Sequence, residues 1–288
     1  MIGIIGQIFQ FAPPGRDTAF LNISQGLGLA SYFIVIGYLF LLFCYFLLIK
    51  WRETKKLYWM YFSFFFLFAA ISRGLFVIYD YMMPYFINQI RTDPLIPLDL
   101  YRWANFIGWL AAACMVGVIS TLIFTKNNQT TTIMRIVTPL IVVVIGSLFL
   151  FLPPELVIDG NYYIYSDPNN VEYNVAHGLT IIDSPIANLG MGTFVLQFII
   201  TPIISFILPI IFFYLGFKSV GIIRKSSILN GLGFIFYWFG RFASPFFSLT
   251  QKPSGGAWSG ITINVWPPMI ILLGLLFLAL ANMMLQQK

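Results

Sequence analysis

Two arginines placed inside long apolar stretches are the residues of this chain best suited to bind a ligand. Arg73 lies in the run LYWMYFSFFFLFAAISRGLFVIYD at 57–80, and Arg241 lies at a matching depth in the stretch 227–247. A fixed cation at that depth is costly in lipid, so it usually marks a functional site. Because a guanidinium presents paired N–H groups, it matches the two oxygens of a carboxylate or phosphate.

Nearby polar residues leave two interpretations of these arginines open. Asp80 follows Arg73 by seven residues on the same helix face, which is roughly 10 Å along the axis. Arg241 has no acid in its own span, and Asn105 or Gln197 could share hydrogen bonds with it. The arginines and these three residues therefore form either a structural ion pair or a site that binds an anion. Two deep cations against one acid at the edge of a span leave a positive surplus.

We expect both arginines to face the helix bundle rather than lipid. Cα–Cβ bonds tilt toward the amino end of a helix, which for both spans points to the cytoplasm. An arginine in the outer half of such a span leans toward the bilayer centre. To reach the outer headgroups by snorkelling, it would have to bend back.

No other group of residues predicts catalysis, a metal site or a cofactor. The chain has no Ser/His/Asp set, no paired carboxylates inside the spans, no HExxH motif and no glycine-rich phosphate loop. An intramembrane enzyme needs such groups at depth. Cys44 and Cys114 are interpreted as small buried hydrophobes, and the lone His177 cannot form a metal site by itself. We expect a protein that is not an enzyme.

Composition places these residues in a membrane protein. Hydrophobic residues make up 59% of the chain and charged residues 9%, with a mean hydropathy of +0.86. A soluble domain carries about 25% charged residues, so the lipid bilayer is the expected partner. The formal charge of +6 is explained by membrane orientation, and no nucleic-acid partner is predicted.

We predict an all-α membrane protein with seven transmembrane helices. Residues 1–19 form an interfacial amino-terminal segment, and residues 20–288 form the membrane domain. Spans of ~20 residues are predicted at about 27–49, 57–80, 101–124, 133–152, 188–217, 227–247 and 261–285. An extracytoplasmic loop at 153–184 contains short β-prone runs, which predict a small β-hairpin loop at about 155–183; a coil is the alternative.

Charge asymmetry predicts the orientation, because Lys and Arg in short loops face the cytoplasm. With the amino terminus outside and the carboxyl terminus inside, Glu53 is the one acid among the inner turns and the tail. The basic residues on that side are Lys50, Arg52, Lys55, Lys56, Lys126, Arg135, Lys218, Arg224, Lys225 and Lys288. This predicts a multi-pass protein of the cell membrane with an extracytoplasmic amino terminus, where the sequon at Asn22 would be a weak glycosylation signal.

The spans at 57–80 and 227–247 resemble each other. Each follows a basic pair, and each arginine comes 17 or 16 residues after that pair and abuts a glycine. This pattern predicts a parallel 3+1+3 repeat with its axis along the membrane normal. In layout alone the chain resembles the SWEET sugar transporters and, more loosely, the microbial rhodopsins. The last span lacks the lysine that a retinal Schiff base needs, and we assign no family.

Three functions fit these features. A receptor-like protein would bind a small, anionic ligand in an outward-facing pocket between the arginines. A small-solute transporter of 3+1+3 architecture would use the arginines as substrate or gating groups and the proline-containing helices for alternating access. A non-catalytic subunit or scaffold would pack its aromatic-rich surface on other membrane subunits. We prefer the receptor-like function over transport.

Overall fold

In a computed structural model, the chain forms a bundle of long helices. The structure describes residues 23–82, 95–124, 128–151, 157–158, 161–162, 195–250 and 260–284. The amino-terminal segment predicted at 1–19, the sequon at Asn22 and most of the predicted loop 153–184 lie outside these ranges. Within the described ranges there are seven long helices.

The first four helices precede the long loop. Helix α1 is Ile23–Tyr45, continued by a π-helical turn Phe46–Trp51 and a helical turn Arg52–Thr54. Helix α2 is Leu57–Val77, continued by a π-helical turn Ile78–Met82. Helix α3 is Leu95–Ile123, and α4 is Gln129–Ser147 with a 3-10 turn Leu148–Leu150.

Three more helices follow the loop. A π-helical turn Val195–Ile200 leads directly into α5, Thr201–Lys218. Helix α6 is Gly221–Thr250 and α7 is Gly260–Met284. In the loop itself, strands β1, Val157–Ile158, and β2, Asn161–Tyr162, pair antiparallel with Val157 opposite Tyr162. The ladder is only two residues long, and it is the part of the predicted hairpin region that the structure describes.

Six of the described helices are long and apolar enough to cross a membrane, so the chain is a multi-pass membrane protein. The helix outside this count is α6, which carries Arg224, Lys225 and Arg241. These charges lower its mean hydropathy, although at 30 residues it is the longest of the seven. Length alone would therefore let it cross a bilayer of about 30 Å.

Some helix ends differ from the predicted bounds. Helix α3 begins at Leu95 rather than near 101, because Pro97 lies in the first turn, where a helix does not need the missing amide. Helix α6 begins at Gly221 rather than near 227, so its basic pair continues the helix instead of forming a turn. Lys55, in the left-handed region with φ 54°, separates α1 from α2.

Six helices close into a ring and one lies outside it. Around the ring, each helix packs on the next in the order α1, α2, α3, α5, α6 and α7, and α7 packs back on α1. Helix α4 packs on the outside of α3. On α4, Arg135 donates from Nε to the carbonyl oxygen of Phe124 at 2.7 Å, which satisfies the carboxyl end of α3.

Helices α6 and α7 approach so closely that only glycine, which has no Cβ, fits at their contact. A Cβ added at Gly274 would lie 2.6 Å from the amide nitrogen of Tyr237, and one added at Gly240 would lie 2.8 Å from the carbonyl oxygen of Pro267. Small residues allow this approach between membrane helices, where packing rather than hydrophobic burial drives association. The pair is further joined by Ser226 Oγ, which donates to the carbonyl oxygen of Ala281 at 2.8 Å.

Aromatic side chains fill the centre of the helix bundle, in the half that lies toward Lys50 and Lys56. We call the fully buried residues Phe46, Phe62, Phe65, Phe66 and Phe234 the aromatic layer; each is 0% exposed. Phe46 of the α1 extension meets Phe62 of α2 edge-on at 4.7 Å between ring centroids, and Phe65 meets Phe234 of α6 at 5.9 Å. Such edge-to-face pairs stabilise a core beyond the area they bury.

Candidate functional site

Arg73 and Arg241 line one cavity between α1, α2, α6 and α7. Its volume is about 20 Å³, which is room for about one or two water-sized groups. The polar lining side chains are Ser72, Arg73, Tyr237 and Arg241, and the apolar ones are Val35, Leu39, Ala69, Phe76 and Ile271. The two arginines that the sequence separates by 168 positions therefore share a site.

Arg73 packs against an aromatic ring, and two of its hydrogen-bond donors have no acceptor among the described residues. Its Cζ lies 3.8 Å from the ring centroid of Tyr32 on α1, a cation–π contact that orients the guanidinium plane. Its Nε and Nη2 atoms are buried and have no hydrogen-bond partner among the described residues. These two atoms carry the N–H groups of one edge of the guanidinium, the edge that pairs with both oxygens of a carboxylate.

Arg241 is held by three neighbours instead of one. Its Cζ lies 5.2 Å from the ring centroid of Trp238, and its side chain hydrogen-bonds that of Tyr237, one turn earlier on α6. On α3, Gly108 leaves the space that the guanidinium occupies: a Cβ added at Gly108 would overlap Nη2 of Arg241. A contact on a glycine surface requires that position to stay free of a side chain.

Ser72 joins the cavity wall to α3. Its hydroxyl donates to the carbonyl oxygen of Ala104 at 2.8 Å, and both residues are buried. A Cβ added at Gly108 would lie 3.1 Å from Ser72 Oγ, so the serine and Arg241 meet the same stretch of α3. Because its proton is used, Ser72 can offer the cavity only acceptor lone pairs.

The cavity carries a concentrated positive charge. The guanidinium of Arg73 is close enough to that of Arg241 to repel it electrostatically. Among the described residues the recorded ion pair is Arg102 with Asp99 on α3, at 3.6 Å, and neither residue lines the cavity. Two like charges in a low-dielectric interior repel strongly unless a counter-charge lies beside them.

Of the other predicted site residues, Asn105 does not line the cavity, and the side chains of Asp80 and Gln197 are outside the described part of the structure. Asn105 is buried on α3, and its amide donates to the carbonyl oxygen of Tyr101 at 2.9 Å, within its own helix. The backbones of Asp80 and Gln197 lie in the π-helical turns Ile78–Met82 and Val195–Ile200. Their side chains are outside the described part of the chain, so the ion pair predicted between Arg73 and Asp80 stays a prediction.

Several residues that shape this site are not among those predicted from the sequence. Tyr237 could have been found, because it precedes Arg241 by four residues and must share its helix face. Ser72 adjoins Arg73, and only the packing of α2 on α3 shows that it reaches the cavity. Tyr32 and Gly108 carry no sequence signal, because each acts through a contact with a distant helix.

Comparison with other proteins gives no relative from which a function could be transferred: no family model, no curated protein and no solved structure matches this chain.

Proposed function

We propose that this chain is a receptor-like membrane protein that binds a small anionic ligand in the cavity between Arg73 and Arg241. The observation that carries the proposal is the convergence of both guanidiniums on one cavity, with two buried donors of Arg73 lacking a hydrogen-bond partner among the described residues. The lining offers cations and a phenol but no nucleophile paired with a base, which favours binding over catalysis.

The energetics favour a bound counter-ion. An uncompensated charge in the interior typically costs several kcal/mol, and two that repel cost more. An anion between the guanidiniums would convert this repulsion into charge-assisted hydrogen bonds, each worth about 1.5–3 kcal/mol. Because a ligand that binds only the folded state stabilises it, the ligand should also raise the resistance of the bundle to unfolding.

The aromatic layer supports reception over transport. Phe66 and Phe234 each lie seven residues from the arginine of their helix, roughly 10 Å toward the other end of the bundle. Both rings are 0% exposed, so they fill the route that a solute would take beyond the cavity. Phe65 also meets Tyr237 at 5.5 Å, which gives the cavity wall a direct contact with this layer.

We further propose seven spans with the amino terminus outside. Exposed basic residues gather at the ends of α1, α5 and α6 that face away from the cavity, namely Arg52, Lys55, Lys56, Lys218, Arg224 and Lys225. Under the positive-inside rule this end is cytoplasmic, so the cavity lies in the outer half. The contacts of α3 with α5 and of α7 with α1 are those a parallel 3+1+3 arrangement requires.

Ligand-dependent unfolding of the full chain in lipid nanodiscs tests the proposed function. Sodium acetate, propionate, sulfate and phosphate would be compared with sodium chloride at matched ionic strength. We expect at least one of these anions to raise the unfolding midpoint saturably, and the double variant R73Q/R241Q to lose that increase. The matched control is R102Q, which removes an arginine of α3 that pairs with Asp99 outside the cavity.

Two results would overturn the proposal. If the wild-type protein responds to none of the anions, it does not bind an anionic ligand of this kind. If R102Q loses the response as fully as R73Q/R241Q, the binding site is not specific to Arg73 and Arg241. If proteoliposomes that contain the protein take up the stabilising anion, the protein is a transporter rather than a receptor-like protein. Orientation is checked separately: after Cys44 and Cys114 are replaced, an impermeant maleimide added to intact cells should label D99C but not T54C.

A further inference from the structure

We infer that the cavity takes a short-chain aliphatic monocarboxylate of about two to four carbons. Because the cavity of about 20 Å³ has room for only one or two water-sized groups, even this ligand must push lining side chains outward, and a longer chain must push them further. This inference rests on the proposed function and names the chemical class of the ligand. Three features of the site carry it: the geometry of the free donors, the small number of polar groups around them, and the apolar remainder of the wall.

The free donors of Arg73 select a planar anion with two oxygens. Nε and Nη2 are the buried atoms without a hydrogen-bond partner among the described residues, and their N–H groups point in parallel from one edge of the guanidinium. A carboxylate accepts both bonds in the plane of the guanidinium. Tyr32, whose ring lies 3.8 Å from Cζ, fixes that plane and so fixes where the carboxylate carbon must lie.

Few other donors face the cavity. Arg241 donates to the hydroxyl of Tyr237, which leaves the Tyr237 proton as one further donor. Arg241 also lies on the surface of Gly108, and the proton of Ser72 is used on Ala104 at 2.8 Å. A tetrahedral phosphate or sulfate has four oxygens to satisfy. In this cavity some of those oxygens would face apolar groups or the lone pairs of Ser72, and an unsatisfied buried polar group is costly.

The apolar wall suits a hydrocarbon chain. Leu39 of α1, Phe76 of α2 and Ile271 of α7 line the cavity beside the arginines. With the carboxylate at Arg73, the aliphatic carbons would lie against these side chains and leave water. Each buried methylene should strengthen binding about fourfold until the cost of displacing lining side chains exceeds that gain. For a chain much longer than four carbons we expect the cost to exceed it.

The test is a titration series on the full chain in lipid nanodiscs, with affinity measured by isothermal titration calorimetry. The probes are sodium acetate, propionate, butyrate and octanoate, sodium phosphate, and the neutral analogue propionamide. We expect propionate or butyrate to bind at least tenfold more tightly than phosphate. Octanoate should bind more weakly than butyrate, and propionamide should show no binding.

Two variants locate the ligand within the cavity. R73Q should weaken binding of propionate about 100-fold, the loss expected for two charge-assisted hydrogen bonds, whereas R102Q should bind it as the wild type does. The conservative change I271V removes one carbon from the wall and so enlarges the cavity. It should shift the chain length that binds most tightly toward longer monocarboxylates. If butyrate binding proves independent of Ile271 and also of Leu39 (tested with L39V), the chain does not lie against this wall and the inference is overturned.

The outcomes separate this inference from the function on which it rests. If phosphate or sulfate binds more tightly than every monocarboxylate and R73Q abolishes that binding, the site is an anion site but the ligand class is wrong. If no probe binds the wild type, the proposed function itself fails. The variant D80N distinguishes an internal carboxylate at Arg73: propionate bound more than tenfold tighter by D80N than by the wild type would mean that Asp80 occupies the fork, which overturns the inference.

Discussion

The two arginines occupy the same cavity but are held in different ways. Arg73 rests on the ring of Tyr32, and two of its buried nitrogens have no hydrogen-bond partner among the described residues. Arg241 contacts Trp238, bonds Tyr237 and lies on the surface of Gly108. The difference suggests a division of roles, in which Arg73 supplies the hydrogen bonds to a ligand and Arg241 supplies charge from a fixed position.

The strongest test of this division is the loss of the Arg73 fork. We expect R73Q to weaken anion binding about 100-fold, or about 3 kcal/mol, because two charge-assisted hydrogen bonds are lost. The ligand-free protein should be no less stable, since Arg73 has no counter-charge among the described residues and removing it relieves its repulsion with Arg241. Calorimetric titration and thermal unfolding of the same preparation measure both quantities.

A lysine at the same position sharpens the result. R73K keeps the charge but replaces the planar fork with a single ammonium, so it should bind the anion better than R73Q and worse than the wild type. Equal binding by R73K and the wild type would mean that charge alone matters. In that case the contrast between Arg73 and Arg241 would have no functional meaning.

The second test removes the surface on which Arg241 lies. G108A would place a methyl group where Nη2 of Arg241 lies, so the guanidinium would have to move away from α3. Because it is the end of a flexible side chain, the overpacking should cost about 1 kcal/mol, the low end of the usual range. The matched control is G37A on α1, where a Cβ would meet nothing within 4 Å, so this change should be neutral or stabilising. Thermal unfolding of both variants decides; equal stability of G108A and G37A would show that Arg241 is not held at this position.

Much of the architecture could be predicted from the sequence because lipid makes strict demands on it. Apolar runs of about 20 residues separated by charged turns define spans with few alternatives, and the predicted span at 57–80 differs little from α2, Leu57–Val77, with its π-helical turn. The predicted start of α6 at about 227 is too late, because α6 begins at Gly221 and includes Arg224 and Lys225, which the charge pattern assigns to a turn. A basic pair at the membrane surface is equally compatible with a helix that extends beyond the bilayer.

The candidate site was only partly predictable for a different physical reason. An intramembrane charge is visible in a sequence because it violates composition, which is how Arg73 and Arg241 were found. Their neighbours follow ordinary composition: Tyr32 and Leu39 of α1 are unremarkable residues of an apolar helix, and Gly108 is one of 23 glycines. Which helix faces which depends on packing, and no local pattern records it.

The third test measures how strongly each arginine is coupled to its ring. In a double-mutant cycle, Y32L and R73Q should show a coupling free energy of about 1–2 kcal/mol, because the cation lies close over the ring in a desolvated site. The cycle of W238L with R241Q should give about 0.5 kcal/mol, since its distance is 5.2 Å rather than 3.8 Å. The coupling is read from unfolding free energies; a larger value for the second cycle would reverse the assignment of roles.

The smallest expected effect concerns the serine that joins the site to α3. S72A loses the hydrogen bond to Ala104 at 2.8 Å and should cost about 1 kcal/mol of stability, as other hydrogen bonds between membrane helices do. S226A is its counterpart, because Ser226 donates to Ala281 at the same 2.8 Å away from the cavity. Both variants should lose similar stability in thermal unfolding, and only S72A should change anion affinity, by a few fold. Removing Ser72 also removes lone pairs that face the bound anion, so the change should be toward tighter binding. An S226A variant with the same gain would mean that general loosening of the bundle, rather than the composition of the cavity wall, sets the affinity.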